Sequence, residues 1–189
     1  MGIALITSKM IAVFVGPGGM AYIGNFRNFM TSLEGISTLA FSSGVVKYVG
    51  ENEDKEKELT KIITTVLVTF LVFSTVLGFL IFVFSDFLCA KFFGNNLQYE
   101  IVFKVVAIVL PFSVVSVLFV SIINGLGSYS KLIYATIISN IIALVLTVLL
   151  IYEFKLVGAL LSTALNPTIL FTINFFYVPK ELQLLSRIN

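Results

Sequence analysis

The polar and apolar positions divide the chain into long greasy runs separated by short charged connections. Lys61 to Asp86 encloses 24 uncharged residues, Lys104 to Lys131 encloses 26, Lys131 to Glu153 encloses 21, and Lys155 to Lys180 encloses 24. About 20 apolar residues in a helix cross a hydrocarbon core of roughly 30 Å. All four runs meet that length. Backbone groups in lipid must pair within their own segment, so the runs are predicted to be helical, near 62–85, 101–123, 132–152 and 156–178. Two further segments lie upstream. Over residues 20–49, Phe26, Phe29, Met30, Leu33 and Ile36 recur at helical spacing among Asn25, Arg27, Asn28, Thr31 and Glu34. This predicts one spanning helix with a lipid face and a face on a polar cavity or another helix. Residues 1–15 are apolar apart from Thr7, Ser8 and Lys9, and stop at the breaker Gly16-Pro17-Gly18-Gly19, read as a tight turn between two helices. Fifteen residues rise only about 22 Å, and the basic start and cleavage site of a signal peptide are missing. The segment reads as a truncated first membrane helix. The fold class is an all-α membrane protein with six transmembrane helices, the first one clipped.

Composition sharpens this picture by exclusion. The 189 residues are 58% apolar and 12% charged, with a mean hydropathy of +1.06. That charge is about half the share of a soluble domain, too little to coat a water-soluble globule. A net charge of +2, dispersed along the chain, excludes a nucleic-acid partner. The single cysteine, Cys89, allows no internal disulfide and no cysteine-based metal site, and the absence of histidine removes the commonest metal ligand and acid-base group. No cofactor or metal is implied, and no soluble-enzyme motif is present; the chain is not read as an enzyme. Lys and Arg on alternate connections number seven (Lys47, Lys55, Lys57, Lys61, Lys131, Lys180, Arg187) against three (Lys91, Lys104, Lys155). The richer side is expected to be cytoplasmic, with both chain ends inside.

Polar groups inside the spans carry the candidate chemistry. Intramembrane charge costs at least about 2.5–3.5 kcal/mol and usually faces a cavity or a partner. Arg27 and Glu34, seven residues apart, lie on nearly one helix face, about 10 Å from each other. Together with Asn25 they either line a solute path, or form an interhelical ion pair, or the arginine snorkels; Lys47, at the cytoplasmic edge, either joins that lining or serves as a topology signal and lipid-headgroup contact. Glu34 is the candidate for coupling to a proton or sodium. Pro111 and Pro167 lie within spans and predict bends that either shape a hinge or serve packing. Ser113, Ser116 and Ser121 lie near Pro111. Asn166, Thr163, Thr168 and Asn174 lie near Pro167. Ser139-Asn140 reads as an interhelical hydrogen-bonding pair.

The segments Lys-Met-Ile-Ala-Val-Phe-Val-Gly-Pro-Gly-Gly (9–19), Gly-Asn-Phe-Arg-Asn-Phe (24–29) and Gly-Val-Val-Lys-Tyr-Val (44–49) resemble the start of Wzx-type polysaccharide flippases. These belong to the multidrug/oligosaccharidyl-lipid/polysaccharide exporter superfamily. Phe-Gly-Asn (93–95), Asn-Gly-Leu-Gly-Ser-Tyr-Ser-Lys (124–131) and Gly-Ala-Leu (158–160) follow in the same order. The nearest look is to O-antigen and enterobacterial-common-antigen translocases. The resemblance implies two six-helix lobes across a central cavity, of which this chain is the N-terminal lobe. It implies a bacterial inner-membrane location, and a lipid-linked oligosaccharide, the bilayer, and a missing C-terminal lobe or second chain as partners. The implied activity is flipping of undecaprenyl-pyrophosphate-linked oligosaccharide for O-antigen or other surface polysaccharide, including that of lipopolysaccharide. Arg27 and Lys47 fall where the family pattern has basic residues; Glu34 falls where a small or apolar residue is expected. A multidrug/cation antiporter of the same superfamily, a membrane-embedded glycolipid enzyme and a non-transporting membrane scaffold are the alternatives.

Overall fold

The structure is a computed structural model. It describes residues 2–52, 55–94 and 96–188, with side chains placed except at 2–8, 10, 11, 56, 131 and 177–188. The charges of Lys131, Lys180, Glu181 and Arg187, together with Thr7, Ser8 and Asn95, lie outside the described side chains. The described residues form helices and turns only. The α-helices are α1 (Gly2–Ser37), α2 (Ser42–Glu51), α3 (Glu56–Val83), α4 (Ser85–Phe93), α5 (Glu100–Gly125) and α6 (Tyr129–Ile188), with a 3-10 turn at Leu97–Tyr99. Lys57–Val83, Leu97–Gly125 and Leu132–Phe176 are long and apolar enough to cross a membrane.

Two of these helices are interrupted. Within α1, Gly16 has φ 78° and ψ 175°, just before Pro17. A glycine accommodates that positive φ without steric cost. Within α6, Lys155 has φ 50° and ψ −120°, and a Cβ on Gly158 would collide with the backbone of Leu150. Residues eight apart in a straight helix are about 12 Å apart, so α6 folds back on itself at Lys155 as two antiparallel segments. Divided at Gly16 and Lys155, α1 and α6 give four segments, which with α3 and α5 make six long ones.

The structure differs from the sequence expectation over 20–49. That segment is two helices rather than one, separated at Thr38–Phe41, where Leu39 and Ala40 both have positive φ. The Thr38 hydroxyl donates to the Glu34 carbonyl at 2.8 Å, and the Ala40 amide donates to the Gly35 carbonyl at 2.8 Å. These bonds satisfy the end of α1 as the chain turns into α2. Residues 86–100, which lie between the spans expected near 62–85 and 101–123, include most of α4. Asp86 in its first turn and Lys91 in its last suit the helix dipole, and Gly94 at φ 67° ends it.

Helix α5 is the axis of the bundle. Fourteen of its 26 residues are buried, from Val102 to Ile123, and α1, α2, α3, α4 and α6 all pack on it. By contrast α3 turns Val68, Val72, Phe73, Val76, Phe79 and Leu80 outward, as a lipid-facing helix should. Close approaches lock this arrangement. A Cβ on Gly78 would lie 2.6 Å from the Ala107 carbonyl oxygen, and one on Gly125 would lie 2.8 Å from that of Val46. The Ala107 carbonyl is the one that Pro111 deprives of its helical N–H, so glycine lets α3 approach a free acceptor. α5 itself remains one helix through Pro111.

At the Glu100 end of α5 the core is aromatic. Phe103, fully buried, meets Phe26 and Phe29 of α1 and Phe92 and Phe93 of α4 at centroid distances between 5.7 and 6.3 Å. Tyr22 and Tyr99 extend the cluster through Phe93. The T-shaped and tilted pairs are the favourable geometries for ring quadrupoles.

Candidate functional site

Below the aromatic cluster, toward the end of the bundle that carries Lys47, the helices part around a cavity of about 480 Å³. Each wall has a simple origin. α1 brings Glu34 from the polar face of its amphipathic pattern, and the break at Thr38–Phe41 lets α2 swing Ser42 and Ser43 beside it. α5 contributes Ser113, Ser116, Ser121 and Asn124, spaced at intervals that return to one face of a helix. The reversal at Lys155 then brings Ser139 and Asn140 of the first half of α6 to the same space as Asn166 and Pro167 of the second. Val46, Val117, Val120 and Leu170 supply the apolar part of the lining.

The hydrogen bonding of this wall is incomplete. The Ser113 and Ser121 hydroxyls donate to carbonyls one turn back, at 3.3 and 2.9 Å. The Ser116 and Ser139 hydroxyls, 2% and 3% exposed, have no hydrogen-bond partner. Buried polar groups are nearly always paired, and both residues are among those that line the cavity. Asn174, seven residues beyond Pro167 and fully buried, has both amide atoms unpaired. Among the described residues Glu34 is the only carboxylate lining the cavity. Among the described residues no cation is within ion-pair distance of it, and no Lys or Arg lines the cavity.

The other candidate residues sit elsewhere. Asn25 lines a separate open recess of about 470 Å³ with Asn28, Phe29, Ser32, Lys91 and Phe92. Positions 25, 28 and 32 share one face of α1, and Lys91 of α4 places a cation at its edge. Arg27 is exposed and lines neither space. Lys47 is exposed on α2 and pairs with Glu51 at 3.8 Å, a surface pair of small energetic weight. Pro111 sits inside α5 behind the cavity wall, and Pro167 is in the wall itself. Sequence reasoning singled out Glu34, the three serines of α5, Ser139-Asn140 and Asn166-Pro167 as separate features; the fold joins them. It passed over two further residues that line the cavity, Asn124 of α5 and Thr136 of α6. Their signal was the recurrence of polar residues at helical intervals facing one another across α5 and α6. No group of three or more His, Cys, Asp or Glu suited to a metal occurs among the described residues.

Comparison with known proteins adds a family to this geometry. Over 99% of its length the chain is 28% identical to the lipid III flippase of Escherichia coli (strain K12), and equally to that of Shigella flexneri, covering 43% of each. The chain thus spans less than half the length of these curated relatives. No solved structure matches it. A family profile described as polysaccharide biosynthesis protein matches residues 27–188, a stretch that takes in every residue lining the cavity. The chain, an all-helical membrane bundle around a polar cavity, belongs to that polysaccharide biosynthesis protein family.

Proposed function

We propose that this bundle forms one wall of a translocation path for an oligosaccharide carried on a polyprenyl pyrophosphate, as in O-antigen or related surface-glycan assembly at a bacterial inner membrane. The observation that carries the reading is the polar cavity inside an otherwise apolar bundle, set beside relatives named lipid III flippase. A glycan cannot cross hydrocarbon without leaving its hydroxyls unpaired, and serine and asparagine side chains replace the lost water bonds. The pyrophosphate needs charge-assisted donors. Arg27, Lys47 and Lys91 lie on exposed faces, where a headgroup and a second bundle can meet them. The polyprenyl tail stays in lipid. Outward movement of the negative pyrophosphate is favoured by roughly 2.3 kcal/mol per charge per 100 mV of inside-negative potential. The bundle then acts as a transporter component rather than a catalyst, paired with a second lobe or chain. The Lys47 end is the cytoplasmic one.

The test is binding to the chain in nanodiscs, using a polyprenyl-pyrophosphate-linked oligosaccharide radiolabelled in its sugars. Saturable binding that ordinary phospholipid does not compete is expected. A folded chain that shows none overturns the reading. The unpaired carboxylate of Glu34 favours a second reading, a cation antiporter. That reading requires a lipophilic cation such as tetraphenylphosphonium to bind, and Glu34→Gln to abolish the binding.

A further inference from the structure

We infer that the cavity between α1, α2, α5 and α6 is a subsite for a neutral sugar ring and that it rejects the pyrophosphate. The inference rests on the proposed function and divides the labour within it. The first ground is the chemistry of the wall. A sugar hydroxyl donates one hydrogen bond and accepts others, and so do serine hydroxyls and asparagine amides. Ser116, Ser139, Asn140 and Asn166 converge on the cavity from three helical segments, and the first two are buried hydroxyls with no partner. A pyrophosphate only accepts.

The second ground is charge. Among the described residues lining the space there is one acidic group, Glu34, and no Lys or Arg. An anion placed there meets no cationic donor, which in a membrane interior is prohibitive. The Glu34 carboxyl accepts hydrogen bonds from sugar hydroxyls. The third ground is shape and surface. A volume of about 480 Å³ lies within the roughly 300–1,000 Å³ of small-ligand pockets. Val117, Val120 and Leu170 give it an apolar side suited to the C–H face of a pyranose. The cations that an anion would seek, Arg27 and Lys91, belong to the opposite part of α1 and to α4, outside this space.

Saturation-transfer NMR on the full chain in nanodiscs tests this, with methyl glycosides of neutral hexoses and N-acetylhexosamines as probes and inorganic pyrophosphate as competitor. At least one neutral glycoside is expected to show transfer that millimolar pyrophosphate leaves unchanged. The S116A/S139A chain, which loses two hydroxyls and gains no bulk, is expected to bind it about tenfold more weakly. Displacement of the glycoside by pyrophosphate overturns the inference, and so does unchanged binding by the S116A/S139A chain. Pyrophosphate competition is read on the unmodified chain, so the test survives a variant that fails to fold. If the radiolabelled lipid-linked oligosaccharide binds but no neutral glycoside does, the sugar subsite is wrong while the proposed function stands. If neither binds, the cavity is filled by water only and both fall together.

Discussion

Cys89 is a built-in reporter because it is the chain's one cysteine. It is 1% exposed, and its thiol donates to the Asn96 carbonyl at 3.3 Å. Burial pushes its pKa above the ordinary thiol value, and the carboxylates of Glu100 and Asp86 push it further. The thiolate is the reactive form, so maleimide labelling of the folded chain at pH 7 is expected to be at least about tenfold slower than after unfolding. The sign of the linkage is fixed. The folded pKa is raised, so the stabilising contribution is complete below the unfolded thiol's pKa and is lost as pH rises through the folded one. Labelling equally fast in both states would show that α4 does not hold against α5. The same reporter reads the aromatic cluster. Phe103→Ala removes the ring that α1 and α4 share, a loss of about 3–5 kcal/mol in a packed core. It should raise the Cys89 labelling rate several-fold; an unchanged rate would show that the cluster does not fix α4.

At the scale of elements, the contact between α3 and α5 turns on two residues. Gly78→Ala would set a methyl 2.6 Å from the Ala107 carbonyl, and overpacking of this kind costs about 1–3 kcal/mol. Pro111→Ala restores an N–H for the same carbonyl, so alone it should not destabilise. The two changes should be non-additive, with Pro111→Ala softening the Gly78→Ala penalty, as expected for residues that share a partner. Denaturation of the four chains of that cycle in mild detergent measures this; strict additivity would mean that the free carbonyl is not what Gly78 accommodates. The prolines also show what was legible in the sequence and what was not. Runs between charges located every long apolar helix, because membrane length and backbone pairing leave few options. The break at Thr38–Phe41 was not legible. Leu39 and Ala40 adopt positive φ with no glycine or proline to announce it, which happens only where tertiary packing outweighs local sterics. The cavity was legible as parts and not as a whole. Ser139-Asn140 and Asn166-Pro167 looked like packing features in their own helices. The reversal at Lys155 was legible from the charges that part the two spans; which polar residues it sets face to face was not, because that depends on the rotation of each segment about its own axis.

For the whole molecule, the two ends of the bundle differ in charge. Lys47, Lys55, Lys57 and Lys61 gather near the C-terminal end of α5, while Lys91, Lys104 and Lys155 lie toward the Glu100 end. On the positive-inside rule the first end is expected to be cytoplasmic. In a Cys89→Ser chain carrying a single new cysteine, a membrane-impermeant maleimide added to intact inner-membrane spheroplasts should label Gly94→Cys and leave Lys57→Cys untouched. The reverse pattern would invert the orientation. The relation of the cavity to the aromatic cluster has a further consequence. Seven rings, from Tyr22 to Phe103, close the bundle above the cavity, and the serines and asparagines stop beneath them. None of these rings lines the space, so the bundle has two interiors of opposite character, a dry aromatic one toward Glu100 and a polar one toward Lys47, and only the second offers hydrogen bonds to a guest.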